Sequence, residues 1–303
     1  MTDRPHDAGV TRTTVGVVGC GAVAPEYVAG IDAEPTLELV GAADPETERA
    51  RAVLADHAPG TDAAVFEDHE ALLADAGPDL VVNLTPHAAH APVSRACLAA
   101  GADVYSEKPL ALDPDDARDL LATAAERGVR LGCAPASHLG PTARRAGRLL
   151  DEDRLGAVRL ATAHCNVGRV TEWHDDPESF LRAGPLSDAG VYPLTVLTAL
   201  FGPVRRVEAA HASRLLAGRA VGGRTLPETP DHVVATLAFD GGVRAQLTAS
   251  MYVPYRAREF VSLELHGDDG SLYLADAGAL EAGDRDRLRL APLGRDYVPV
   301  PLE

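Results

Sequence analysis

One lysine stands in this chain of 303 residues, Lys108, in the stretch "DVYSEKPLAL". The other 27 of the 28 basic residues are arginines. An amine does work that a guanidinium does not. Burial or a neighbouring cation brings its pKa towards neutrality, so it can give up a proton and take it back. Arginine stays protonated. A loop lysine is ordinarily a solvated surface charge. That reading weakens here, because this chain carries arginine at such positions. Lys108 is therefore a candidate for acid–base work or for anchoring a ribose. Oxidising an alcohol carbon requires a group of this kind near the oxygen. It also requires a scaffold that fixes the distance between hydride donor and acceptor.

A second constellation supplies such a scaffold. "VGVVGCGAVA" contains Gly19, Cys20, Gly21, Ala22, Val23 and Ala24, a G-x-G-x-x-A pattern between a strand-like run and a helix-like one. Asp44 follows 20 residues after Ala24, at the end of the next strand-like run. Gly19 suits a tight turn, Gly21 lets backbone approach a pyrophosphate, and Ala24 permits close helix–strand packing. The helix N-terminus then faces the anion. Asp44 would accept hydrogen bonds from the adenosine ribose hydroxyls. A 2′-phosphate there would meet like charge, so NAD is favoured over NADP. A cofactor-free glycine turn is the bland alternative, and the acid at this distance counts against it. Further on, "NLTPHAAH" places Asn83, Thr85, Pro86 and His90 at the end of another strand-like run. Ligands of open α/β sheets bind at that rim. His90 is either a cofactor contact or a surface residue of the helix that follows.

Alternating elements must position these residues. Strand patterns at 14–18, 37–43, 80–84 and 103–106 alternate with helical segments, one of them capped by Asp113 with Pro114 at its first position. This spacing predicts βαβ units and a parallel, Rossmann-type sheet over residues 1–135, with 1–12 as a loose tail. After that the style changes. A helix at 141–150, a long strand at 157–166 and a helix at 186–201 precede strands at 232–239, 243–251, 259–266 and 271–275. Residues 136–303 are thus expected to form an α+β domain with a predominantly antiparallel open sheet, so that the whole chain is of the α/β class. Net charge is −17, which argues against nucleic acid as a partner. No apolar run approaches the roughly 20 residues of a membrane span. The N-terminus lacks the apolar core of a signal peptide. Four cysteines without CxxC spacing read as reduced thiols of a cytoplasmic protein.

Four ordered motifs resemble the Gfo/Idh/MocA oxidoreductases, the relatives of glucose–fructose oxidoreductase and inositol dehydrogenase. They are the glycine turn Gly19–Ala24, Thr85-Pro86 with His90, Glu107-Lys108-Pro109, and Asp188 with Tyr192 in "LSDAGVYPL". The resemblance runs from about residue 14 to about 275. It implies a nicotinamide enzyme acting on a small polar substrate, a sugar, cyclitol or related hydroxy or keto compound. It also implies that Glu107 and Lys108 border the cofactor, and that Lys108, Asp188 and Tyr192 surround the reacting carbon. Assembly as a homodimer or homotetramer through the C-terminal sheet is implied as well. Two departures stand out. The family's glycine run before the aspartate is here Arg182-Ala183-Gly184-Pro185. Many members also extend further, so the second domain is expected to be trimmed or to be covered by a partner subunit.

Asp188 and Tyr192 are four apart, which puts them on one face of a helix. The carboxylate could orient Lys108 or a substrate hydroxyl, and the phenol could donate to a carbonyl oxygen. The proton carrier stays open among the three. Along strand 157–166, alternation puts His164 and Asn166 on one face. His164 and Asn166 are candidate substrate contacts, and Trp173 and His174 in the following loop could wall the nicotinamide pocket and meet the substrate. Packing roles are equally compatible with all four. No spacing supports a metal site from His164, Cys165 and His174. Two further readings compete with net oxidoreduction. One is transient oxidation followed by elimination or hydrolysis. The other is a catalytically silent accessory subunit that binds cofactor.

Overall fold

The computed structural model describes residues 12–174, 177–216, 228–254, 259–277 and 287–302. Apart from Arg12, the tail expected over 1–12 lies outside them. The chain divides between Ala134 and Pro135 into two compact units.

The first unit is a six-stranded parallel sheet in the order β3-β2-β1-β4-β5-β6. Its strands are β1 (Thr13–Val18), β2 (Leu37–Ala43), β3 (Ala64–Phe66), β4 (Leu80–Asn83), β5 (Asp103–Ser106) and β6 (Leu131–Cys133). Helices α1 (Ala24–Ala33), α2 (Thr47–His57), α3 (His69–Asp75), α4 (His90–Ala100) and α5 (Pro114–Arg127) connect them. Period-two alternation divides the core. Val15 and Val17 pack with α1 and α2 on one face. Val18, Val81 and Val104 pack with α3, α4 and α5 on the other. Gly16 and Gly41 face each other in register across β1 and β2. Together they leave a slot for Leu72 of α3, whose methyls a Cβ at either glycine would strike at 2.9 or 2.6 Å. Asp113 caps α5 by accepting from the Asp115 amide at 2.8 Å, and Gly128 closes the helix in the left-handed region. The strand order reverses between β1 and β4, and open α/β sheets take their ligands at such a point, beyond the strands' C-terminal ends.

The second unit begins with α6 (Pro141–Asp151) and β7 (Val158–Asn166), then α7 (Glu178–Pro185) and α8 (Val191–Phe201). An eight-stranded sheet follows the order β14-β13-β12-β11-β7-β10-β9-β8. Its later strands are β8 (Val204–Ser213), β9 (His232–Phe239), β10 (Arg244–Ser250), β11 (Val261–Gly267), β12 (Gly270–Ala275), β13 (Leu288–Pro292) and β14 (Val298–Pro299). All its pairings are antiparallel except β7 with β10. Ala161, Ala163 and Cys165 of β7 join Leu247, Leu263 and Leu272 in one core with Leu149 of α6 and Leu197 of α8. Leu160 and Val234 remain exposed, so the sheet is open on its other face.

Two features depart from the sequence pattern. β8 is a long strand without apolar alternation, because nearly all its side chains are exposed. The expected helix over 186–201 is not one α-helix. Leu186–Gly190 forms a π turn before α8 begins at Val191. Pro193 accounts for the widening: it has no N–H for the carbonyl of Ala189, and its ring crowds that carbonyl. Among the described residues, no helix is long and apolar enough to cross a membrane.

Candidate active site

Gly19 has φ +93°, and a Cβ there would lie 2.7 Å from the carbonyl carbon and oxygen of Leu84. Only glycine fits. Gly21 is the opposite case. A Cβ there meets nothing within 4 Å, so the protein's own packing does not require glycine. Gly21, Ala22 and Val23 are exposed at the start of α1, while Ala24 is fully buried against the sheet. No side chain caps the helix. The Ala24 amide turns back to the Gly21 carbonyl at 3.1 Å and Pro25 has no N–H, so what the turn offers a pyrophosphate is the open backbone of Gly21–Val23 at the positive end of α1.

Asp44 lies at the end of β2, 8% exposed. One carboxylate oxygen accepts from the Cys20 amide at 2.9 Å and the other from the Glu46 amide at 2.8 Å. The acid read as a ribose acceptor therefore also fixes the glycine turn, and each oxygen keeps a second lone pair. Cys20 contributes its backbone. Its side chain is buried, and burial, with Asp44 close by, pushes the thiol up to about 12.

At the ends of β4 and β5 the polar groups form a closed network. The amide nitrogen of Asn83, which is fully buried, donates to the carbonyl of His90 and the hydroxyl of Ser94, both at 3.0 Å. Its oxygen accepts from the Thr85 hydroxyl at 2.6 Å and the Thr85 amide at 3.2 Å. The ring of His90, 1% exposed, lies between the carbonyls of Pro109 and Thr85. Pro86 is exposed. Glu107 accepts the Tyr27 hydroxyl at 2.8 Å and the Lys108 amide at 2.9 Å, and its own amide donates to the Asn83 carbonyl at 2.8 Å. Burial, then the Glu107 charge, raises both the Tyr105 phenol and the Cys133 thiol, the latter to about 12. Lys108 follows directly, half-buried. Asn83, His90 and Glu107 thus act on the protein's own backbone. Tyr27 and Ser94 complete the network, and their only sequence signal was a polar residue on the inner face of a helix.

In the second unit, Asp188 is 2% exposed within the π turn, and Tyr192 is the second residue of α8. The Tyr192 ring meets Phe260 edge-on at 5.1 Å. Asn166 ends β7, where its backbone donates to the Phe260 carbonyl at 2.8 Å. Trp173, 40% exposed, joins His174 and Phe180 in a trio whose ring centroids are 4.7–5.8 Å apart. Phe180 and Phe260 carried no functional signal in the sequence. Cys165 is buried in the core on the face of β7 opposite His164, so those two do not point to one metal.

Residues 13–134 match an oxidoreductase family with an NAD-binding Rossmann fold, and residues 143–273 match the GFO/IDH/MocA C-terminal domain. A dTDP-3,4-didehydro-2,6-dideoxy-α-D-glucose 3-reductase of Streptomyces violaceoruber is 32% identical, over 94% of this chain and 79% of the relative. A trans-1,2-dihydrobenzene-1,2-diol dehydrogenase of Mus musculus is 25% identical, over 93% and 81%. Among solved structures, a 3-ketoreductase from Actinomadura kijaniata, in complex with TDP-benzene and NADP, superposes with a TM-score of 0.77 at 25% identity, covering 96% of this chain and 84% of that one. A dehydrogenase from Bordetella pertussis, in complex with NADH and UDP-GlcNAcA, gives 0.76 at 24% identity, covering 89% and 81%.

Proposed function

The chain belongs to the GFO/IDH/MocA oxidoreductase family, with its NAD-binding Rossmann domain, and from that premise we propose that it interconverts a hydroxyl and a keto group on a sugar-type substrate. The observation that carries this reading is the place of Lys108. The chain's only lysine lies just past β5, after Glu107, on the ligand-binding edge of the sheet that also carries the open Gly21 cradle.

A bound nicotinamide dinucleotide supplies the hydride donor or acceptor. The protein's own tasks are to bind, orient and move a proton. Backbone at Gly21–Val23 and the start of α1 would hold the pyrophosphate, and Asp44 would take the adenosine ribose through its remaining lone pairs. NAD is preferred to NADP, because a 2′-phosphate at Asp44 would add like charge in a buried setting. Proton transfer at the substrate oxygen is assigned to the set Lys108, Asp188 and Tyr192. Half-buried Thr85 and exposed Pro86, beside the network, would border the nicotinamide. Trp173, His174 and Asn166 would contact the substrate. Residues 1–135 would then be the cofactor domain and 136–303 the substrate and assembly domain. Assembly as a homodimer or homotetramer is assigned to the open face of the second sheet, where Leu160 and Val234 are exposed. The cytoplasm is its proposed compartment, in line with four free cysteines.

The test is Lys108→Arg, which keeps the charge and replaces an amine that can give up its proton by a guanidinium that stays protonated. Turnover is expected to fall about a hundredfold or more, with NAD affinity, read by calorimetry, changed much less. Near-normal turnover would remove the proton-transfer role.

A further inference from the structure

The ring of His90 faces two acceptors and no donor. Nδ1 lies 2.6 Å from the carbonyl oxygen of Pro109, and Nε2 lies 2.7 Å from the carbonyl oxygen of Thr85. A carbonyl can only accept. A neutral imidazole has one N–H and one lone pair. In either tautomer that lone pair would face an oxygen at hydrogen-bond distance, out of reach of water. A ring protonated on both nitrogens satisfies both contacts, and such charge-assisted bonds are the short ones.

We propose that His90 is a positioning residue, its ring protonated on both nitrogens and tying the turn after β4 to the backbone that follows Lys108. The two carbonyls belong to separate segments, and both segments are held from their other side. The amide and hydroxyl of Thr85 are bound by Asn83, while its carbonyl is bound by His90. The backbone of Lys108 is fixed on its N-terminal side by Glu107 and on its C-terminal side, through Pro109, by His90. The His87 ring stands edge-on to it at 5.9 Å, and Lys108 is one residue before Pro109 in the chain. A cation at His90 would bear on the neighbouring amine as well as on its position. The inference rests on the reading of Lys108 as a proton-handling group, but its first measurement does not.

In nitrogen-15-histidine-labelled protein at neutral pH, both His90 ring nitrogens are expected to resonate as N–H nitrogens, with both ring protons protected from exchange. Loss of these signals in His90→Gln assigns them. One bare ring nitrogen at His90 in the unmodified protein overturns the proposal, and if the variant does not fold the ring signals are assigned instead by through-bond correlation to the His90 backbone. The second readout uses the single lysine. Carbon-13 labelling at lysine Cε gives one side-chain signal, which is expected to move in folded His90→Gln. In that variant kcat is expected to drop about ten- to a hundredfold, while KM for the dinucleotide stays within about twofold. An unmoved lysine signal with unchanged kcat overturns the positioning role. Normal turnover in Lys108→Arg would defeat the proton-transfer reading and leave the ring measurement standing, so the two failures are separable.

Discussion

The two units hold their candidate site residues by different forces. At the rim of the first sheet, Asp44, Asn83, His90 and Glu107 are each fixed by two or more hydrogen bonds to backbone or hydroxyl groups. In the second unit, the aromatic candidates meet one another's rings, Trp173 with His174 and Phe180, and Tyr192 with Phe260, while Asn166 is held by the Phe260 and Glu259 carbonyls. Hydrogen bonds are directional and lose strength steeply with misalignment. Ring contacts are broad and accept a range of offsets and tilts. A cofactor of constant shape is served by the first arrangement. A pocket that must be refitted from one substrate to another is served by the second. The division of labour in the proposed reaction follows the division of forces.

The sharpest break in this comparison comes from the two glycines of the turn. Gly19→Ala puts a Cβ 2.7 Å from the Leu84 backbone at a φ of +93°. Stability is expected to fall by about 3 kcal/mol or more, read by denaturant unfolding. Gly21→Ala meets no protein atom. Its stability should stay within about 0.5 kcal/mol, while calorimetry shows weakened dinucleotide binding. Unchanged affinity in Gly21→Ala would break the assignment of the cradle.

Next in size is Asn83→Leu, which keeps volume and removes the hub of the polar network. The His90 carbonyl, the Ser94 hydroxyl and the Thr85 amide lose their partner in a dry site. The expected cost is about 2 kcal/mol. A change near zero would mean that the rim is held by packing, as in the second unit.

The same contrast explains what was legible in the sequence. Strand–helix alternation, the Asp113 cap and the glycine turn are local patterns, and they place β1, β2, β5, β9 and α5 to within a residue or so. The pairs Tyr27–Glu107 and His90–Pro109 join residues 80 and 19 positions apart, and no period announces them. β8 went unmarked because an exposed strand shows no alternation, and the π turn because Gly190 and Pro193 read as flaws in one helix. Asp44 was legible as an acid at the right distance. Its bond to the Cys20 amide depends on how β1 and β2 sit side by side, which spacing does not encode.

A smaller effect concerns the first unit's thiols. Burial is the leading cause that raises Cys20, Cys97 and Cys133 from the ordinary 9.0 to about 12. The folded protein therefore holds these protons where the unfolded chain releases them. Their contribution is complete below pH 9 and is lost as pH rises towards 12. The melting temperature is expected to decline across that window, and Cys133→Ala should flatten the decline. An equal decline in a variant lacking all three thiols would assign it to other groups.

Trp173→Ala should have the smallest effect on the fold and the clearest on the substrate. Trp173 is the chain's only tryptophan and is 40% exposed, with its ring edge-on to those of His174 and Phe180. Aromatic contacts of this kind contribute roughly 0.5–1.5 kcal/mol, and an exposed ring sits at the low end of that range. Thermal unfolding should therefore move little. A large apolar ring left half in water is poorly accounted for by folding and well accounted for by a ligand that covers it. If the second unit's rim serves the substrate, KM for the sugar-type substrate rises in Trp173→Ala while NAD affinity holds. If both constants stay at their starting values, the aromatic trio belongs to packing, and the contrast between a polar cofactor rim and an aromatic substrate rim is lost.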